Sequence, residues 1–186
     1  MKYSEIIRKY ADTDKIVWHS YDIIYDFLFR DLYQKNVDFL EIGIFSGAST
    51  KSYEEYFGPD SKIVAIDTDI TKIGHNFGSN VLIKQMDAYD DKTIEFLESS
   101  GRRFDIILDD SLHDLRSHDF ILTNYISLLK PNGMIILEDA TYSEVELIEL
   151  CKKHSATYMK NQHNLKYLRE SNQRDYDASS IIVKVK

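Results

Sequence analysis

The chain has 186 residues, 43% hydrophobic and 29% charged, which excludes disorder over most of its length and allows one sizeable core. A formal net charge of −8 argues against partners that present phosphate, whether a nucleic acid or an anionic membrane surface. The one cysteine, Cys151, excludes an intrachain disulfide and a cysteine-held zinc ion, and no apolar run approaches the length of a membrane helix.

The first residues, MKYSEIIRKYADTDK, are charged throughout and lack the apolar middle of a signal peptide, so the expected location is cytoplasmic. From there to about Phe29 the pattern predicts helix with aromatic residues on one side. Residues 1–36 are expected to form a helical lid at the sheet's edge, and 37–186 the main domain. Exposed aromatics on the first helix suit a homodimer. Two prolines against thirteen tyrosines read as the composition of an AT-rich genome more than as mechanism.

Short apolar runs then alternate with helical patterns. Strands are predicted at Val37 to Ile44, Lys62 to Asp67, Val81 to Gln85, Phe104 to Leu108 and Gly133 to Leu137. Near-continuous burial in such runs suits a parallel sheet covered on both faces. Helices are predicted at Ser49 to Phe57, Asp91 to Ser99 and Leu115 to Leu129, where Pro131-Asn132-Gly133 breaks the chain. Thr141 with Glu144 reads as a capping box before Val145, Ile148 and Cys151. Ala156 to Lys160 and the β-branched run Ser180 to Val185 add an antiparallel pair. The expected class is α/β: a Rossmann-like, doubly wound, mostly parallel seven-stranded sheet with an antiparallel last strand and an N-terminal helical segment.

The stretch FLEIGIFSGAST, Phe39 to Thr50, ends a buried strand in Glu41-Ile42-Gly43 and opens a helix at Gly47-Ala48-Ser49. Gly43 permits a tight turn and Gly47 the close approach of a ligand. This loop lies at the carboxyl end of a strand, where open α/β sheets bind ligands. Its Gly-x-x-x-Gly spacing argues against a nicotinamide dinucleotide. Asp67, ending the second strand, can accept from both ribose hydroxyls, and Asp87 can reach an adenine amino group. Singly, each has a plain explanation, since glycines and acids are common in such turns.

With the acid in KIVAIDTD and the motif QMDAYD, this loop resembles the first three motifs of class I S-adenosylmethionine-dependent methyltransferases, over residues 37 to 186. The resemblance implies S-adenosylmethionine as cofactor. Glu41, Gly43 and Gly47 would border its methionine part, Asp67 its ribose, and Asp87 with Ala88 its adenine; Ser46 and Asp109 belong to the same set.

A second constellation follows the fourth and fifth strands: Asp109-Asp110-Ser111-Leu112-His113 and Glu138-Asp139. In a doubly wound sheet these ends are neighbours. Such a density of carboxylate oxygens suits a hard divalent cation, Mg²⁺ first, with Ca²⁺ and Mn²⁺ as alternatives. Without a cation the acids would repel and some would take up protons. The plain alternative is solvated acids at two strand ends. The pattern resembles the metal-dependent macrolide-sugar O-methyltransferases of the mycinamicin and tylosin types, which carry Asp-x-x-His after the fourth strand and Glu-Asp after the fifth. The resemblance implies Asp110, Glu138 and Asp139 as metal ligands, His113 with Asp110 as catalytic residues and His113 as general base. Asp12-Thr13-Asp14-Lys15 with His19, Tyr21 and Tyr25 resembles that family's early Thr-Asp-Lys…His…Tyr element, which would set Lys15, His19 or Tyr21 over cofactor or acceptor; an amphipathic helix with polar surface groups explains them equally.

Two departures stand out. Leu112 replaces the small residue of the family's Asp-Gly-Ser-His step, and the chain is short for a bulky macrolide. The expected activity is methylation of a hydroxyl on a sugar or other vicinal diol, a small-molecule acceptor. A catechol methyltransferase, a metal-independent one and a non-catalytic nucleotide-binding module stand as alternatives.

Overall fold

The structure, a computed structural model, describes residues 1–10, 12–13, 15, 21–160 and 180–186. Among the described residues the first helices are α1 (Tyr3–Ile7) and α2 (Asp22–Leu28); helix was expected throughout to about Phe29, but α1 already gives way to a turn at Arg8 and Lys9. Next come β1 (Asp38–Ile42), α3 (Ala48–Tyr56), β2 (Lys62–Asp67), β3 (Val81–Gln85), α4 (Asp91–Ser99) and β4 (Phe104–Asp109). The chain ends with α5 (Leu115–Asn124), a 3₁₀ turn at Tyr125–Leu128, β5 (Leu129–Leu137), α6 (Glu144–His154), β6 (Thr157–Lys160) and β7 (Ser180–Val185).

The strands form one sheet in the order β3-β2-β1-β4-β5-β7-β6. The first five pair in parallel, while β7 runs antiparallel to both β5 and β6. Order reverses between β1 and β4, which makes their carboxyl ends the switch-point crevice of a doubly wound sheet. Both faces are covered. Leu40 and Ile42 face α4, α5 and α6 through Leu97, Ile121, Leu122 and Leu147. Phe39, Ile106 and Leu108 face α1, α2 and α3. That second layer is aromatic: Tyr3 stacks on Tyr53 at 5.5 Å between centroids, and Phe29 and Tyr56 meet Tyr3 edge-on. The N-terminal helices therefore cover a face of the sheet rather than an edge, while Ile23 and Phe27 on the outer side of α2 stay exposed.

Local corrections have simple causes. The α6 capping box is Ser143 with Glu146, not Thr141 with Glu144, because the Thr141 hydroxyl donates to the His113 carbonyl at 2.8 Å. Pro131-Asn132-Gly133 does not precede β5 but lies within it: the register slips between Phe104 and Ile106 of β4, and Asn132 takes a left-handed φ of 64°. The helix predicted to reach Leu129 is α-helical to Asn124, then tightens to 3₁₀. Among the described residues no helix is long and apolar enough to cross a membrane.

Gly43 ties the crevice together. Its φ is 87°, and a Cβ there would lie 2.1 Å from the Asp110 carbonyl oxygen. The chain leaves β1 and β4 side by side, so the approach is backbone to backbone and has no flexible atom to yield. Gly43→Ala combines a left-handed alanine with an overpacked contact, and should cost on the order of 3 kcal/mol or more in denaturant-induced unfolding. A loss below about 1 kcal/mol would mean that the two loops can part freely.

Candidate active site

A cavity of about 810 Å³ opens at this crevice. Asp67, Asp69, Met86, Asp87 and Ala88 line one end; Asp110, Leu112, His113 and Arg116 line the other. Gly43 and Ser46 lie in the wall.

Asp67 first organises the loop. Its Oδ2 accepts from Ile44 N at 2.7 Å and Phe45 N at 3.2 Å, and its Oδ1 from Asp69 N at 3.0 Å. A carboxylate offers roughly four acceptor positions, so about one is left for a hydroxyl of a ligand rather than two. Asp87 takes a backbone bond from Tyr89 N at 2.9 Å, and the Ala88 carbonyl accepts from Tyr125 Oη at 2.6 Å. Gly47 is the left-handed N-cap of α3, and a Cβ there would meet the Phe77 ring at 2.9 Å; its freedom serves packing as well as approach to the loop.

Glu41 and Asp109 stand behind the cavity wall. Asp109 is fully buried, accepting from Ser111 Oγ at 2.6 Å and Tyr89 Oη at 3.1 Å, and burial pushes its carboxyl up to about 6. Glu41 Oε2 accepts from Thr50 Oγ1 at 2.5 Å, while Oε1 is buried with no partner among the described residues. Burial raises Glu41 to about 8, against the pull of Thr50 and Lys15.

The acids at the ends of β4 and β5 converge. Lys15, 1% exposed, sets its ammonium between Asp110 Oδ2 at 2.5 Å and Glu138 Oε2 at 2.7 Å. Tyr25 donates to the other oxygen of Glu138, and Tyr21 donates to Asp139. Burial and the neighbouring carboxylates keep both phenols well above their usual range, so they stay protonated donors. Burial works against ionisation of Asp110, but Lys15 and His113 overcome it and hold the carboxyl below its ordinary range. Burial and the Asp110 charge push Glu138 upward; the bonds it accepts on both oxygens are those of a carboxylate.

His113 Nε2 lies 3.2 Å from Asp110 Oδ1. Burial opposes its charge, yet the Asp110 pair wins and raises the imidazole to about 9. Its backbone is left-handed, φ 61°, and its carbonyl is held by Thr141 through both N–H and hydroxyl. One ligand atom each from Asp110, His113 and Asp139 falls within 4.8 Å of the others. Two hard oxygens beside an imidazole form a donor set that fits a divalent ion. Asp14 and His19 lie outside the described residues.

No family model and no curated protein sequence matches the chain. Solved structures do. The MycE methyltransferase from the mycinamycin biosynthetic pathway, in complex with Mg and SAH, superposes with a TM-score of 0.71 at 21% identity, over 100% of this chain and 55% of that one. The same enzyme with Mg, SAH and mycinamycin VI gives 0.70 at 21%, over 100% and 54%. An O-methyltransferase from Bacillus cereus in complex with SAH gives 0.55 at 17%, over 80% and 74%. The fold is that of the class I S-adenosylmethionine-dependent methyltransferases. The chain spans about half the length of the MycE structures it matches.

In this methyltransferase fold, several site groups had no sequence signal of their own. Tyr89, 20 positions away, holds Asp109 by tertiary contact, and Ser111 holds it from two residues on. Phe45, 65% exposed at φ 49°, occupies the loop beside Lys72, whose ammonium is 5.5 Å from its ring. Tyr21 and Tyr25, already singled out within the Thr-Asp-Lys…His…Tyr element, sit one turn apart, a spacing that puts both hydroxyls on one side of α2.

The Glu41 shift has a definite sign. A carboxyl raised by burial favours folding while protonated, so its contribution is full below about pH 4.5 and falls as pH rises to about 8. Glu41→Gln removes that dependence. The gap in melting temperature between variant and wild type should widen from about pH 4.5 to 8 in the variant's favour, then level. A constant gap would mean that Glu41 is ionised throughout.

Proposed function

We propose that this protein is an S-adenosylmethionine-dependent O-methyltransferase, assisted by a divalent cation, that methylates a hydroxyl of a sugar or other vicinal diol with His113 as base. One observation carries the proposal: a single cavity runs from Asp67, Asp87 and Ala88 to Asp110 and His113. A cofactor held at the first end presents its reactive group toward the second. MycE, crystallised with Mg, SAH and mycinamycin VI, supports both the small-molecule acceptor and the cation.

S-adenosylmethionine supplies an electrophilic methyl group on a sulfonium. Displacement there is in line, so the chain's main task is alignment. Gly43, Ser46 and the Asp67-held loop keep the cofactor end open, and Asp87 with Ala88 offers the adenine an acid and a backbone edge. Asp110 and Asp139 would hold the cation, which makes a coordinated hydroxyl more acidic. His113, which Asp110 holds charged near neutral pH, would take the hydroxyl proton when in its neutral form, a form that a cation on Asp110 would favour. With Nε2 bonded to Asp110, Nδ1 is the nitrogen left for it, and Asp110 stabilises the imidazolium that forms.

The Lys15 ammonium among the acids favours one second reading, transfer by the same His113 with no divalent ion; turnover that survives a chelator would select it.

S-adenosylhomocysteine at about 100 times its dissociation constant should stabilise the fold by roughly 2.7 kcal/mol, read as a rise in melting temperature. No shift, with no heat of binding in calorimetry, would remove the methyltransferase proposal. Against a panel of sugars and catechols, His113→Ala should lower turnover by about 10²- to 10⁴-fold while leaving S-adenosylhomocysteine binding intact. Unchanged turnover would remove His113 from the mechanism.

A further inference from the structure

The acid cluster already contains a cation of the chain's own. Lys15 is almost completely buried, and its ammonium reaches across two strand ends, to Asp110 after β4 and to Glu138 after β5. Burying an ammonium is costly unless acids meet it, and burying two carboxylates side by side is costly unless a cation meets them. Each side of the contact offsets part of the other's penalty. Glu138 is committed further, since Tyr25 donates to its second oxygen. Asp110 is shared differently: one oxygen meets Lys15 and the other faces His113. The three residues whose ligand atoms cluster, Asp110, His113 and Asp139, do not include Glu138.

We infer that Lys15 is the positioning residue of this site: its ammonium holds Asp110 and Glu138 together, with Glu138 as its anchor, and leaves the Asp110–Asp139 side to meet one divalent ion. The inference rests on the proposal above that the acids meet a cation. Lys15 then sets how strongly the site attracts that ion. A fixed positive charge beside Asp110 lowers the local field and keeps affinity for an added cation modest. The same charge keeps the acids in place when no ion is bound, so the site is preformed.

The test is calorimetric titration of the full chain with Mn²⁺. Lys15→Met removes the charge and keeps the length of the stem. Its affinity for Mn²⁺ should rise at least about tenfold over wild type, because one repelling unit charge near the ion is gone. Lys15→Arg should stay within about threefold of wild type, charge being retained. A residue that merely filled space would give no gain of affinity with Met and no difference between Met and Arg. If Lys15→Met does not fold, Lys15→Gln carries the same comparison, since it keeps hydrogen-bond donors without charge. A neutral variant that folds only when Mn²⁺ is added would support the inference equally. Equal or weaker Mn²⁺ binding by the neutral variants, no binding by any form, or failure of both neutral variants to fold with Mn²⁺ present would overturn it. S-adenosylhomocysteine binding, measured alongside, decides the methyltransferase proposal separately.

Discussion

Carboxylates at the ends of β4 and β5 sit beneath a layer of aromatic side chains, and such burial is tolerated only where charge and donors reach them. Lys15 supplies the charge, and Tyr21 and Tyr25 supply the donors. All three come from the segment before β1. The aromatic layer and the site are therefore one construction: the rings of Tyr21 and Tyr25 fill the core against the sheet, while their hydroxyls end among the acids. A tyrosine suits both tasks because its body is apolar and its tip is not. Phenylalanine would fill the same space and leave Glu138 or Asp139 short of a donor in a place where water cannot replace it.

At the other end of the cavity one acid again does two jobs. The Asp67 carboxylate holds the glycine loop by three backbone N–H groups, which fixes where Ile44, Phe45 and Asp69 lie. Whatever that carboxylate offers a ligand comes after this internal duty. Gly43 completes the frame by letting the loop after β1 touch the loop after β4, so that the two ends of the cavity share a rigid junction. The methyl transfer proposed above needs donor and acceptor in line, and a junction with no slack suits that need.

Much of the fold was legible because periodicity reports burial. The strands β1, β2 and β4 are buried on both faces and read as largely apolar runs, and the Asp-x-x-His and Glu-Asp pairs lie at their predicted strand ends. Local competition was less legible. Thr141 and Ser143 look alike as caps, and what separates them is the distant His113 carbonyl that takes the Thr141 hydroxyl. Pro131-Asn132-Gly133 reads as a turn, but strand pairing on β4 absorbs it as an irregularity. The Lys15 contacts were hidden for a different reason. They join residues 95 and 123 positions apart, and nothing in a window around Lys15 tells a buried ammonium from a surface one. The tyrosines looked like a bias of composition, although Tyr3, Tyr21, Tyr25, Tyr53, Tyr56 and Tyr125 are among the largest fully buried side chains.

The end of the cavity at His113 is shaped by a strained loop. His113 holds a left-handed conformation that disfavours a residue with a Cβ by about 1–2 kcal/mol. Two bonds from Thr141 to its carbonyl, one from N–H and one from the hydroxyl, offset that cost. Asp114 then caps α5 by accepting from Ser117 N, which fixes the chain on the far side of the histidine. Between these anchors Leu112 is left 60% exposed in the cavity wall, where a smaller residue would leave space. Phe120 and Tyr89 also line the cavity and meet edge-on at 5.7 Å between centroids. The histidine is thus oriented by polar contacts to backbone, while Leu112 beside it adds an apolar patch to a cavity wall that also carries Asp110 and Arg116. Strain at His113 and bulk at Leu112 belong to the same short segment, so changing the size of the cavity there also changes how firmly the imidazole is aimed.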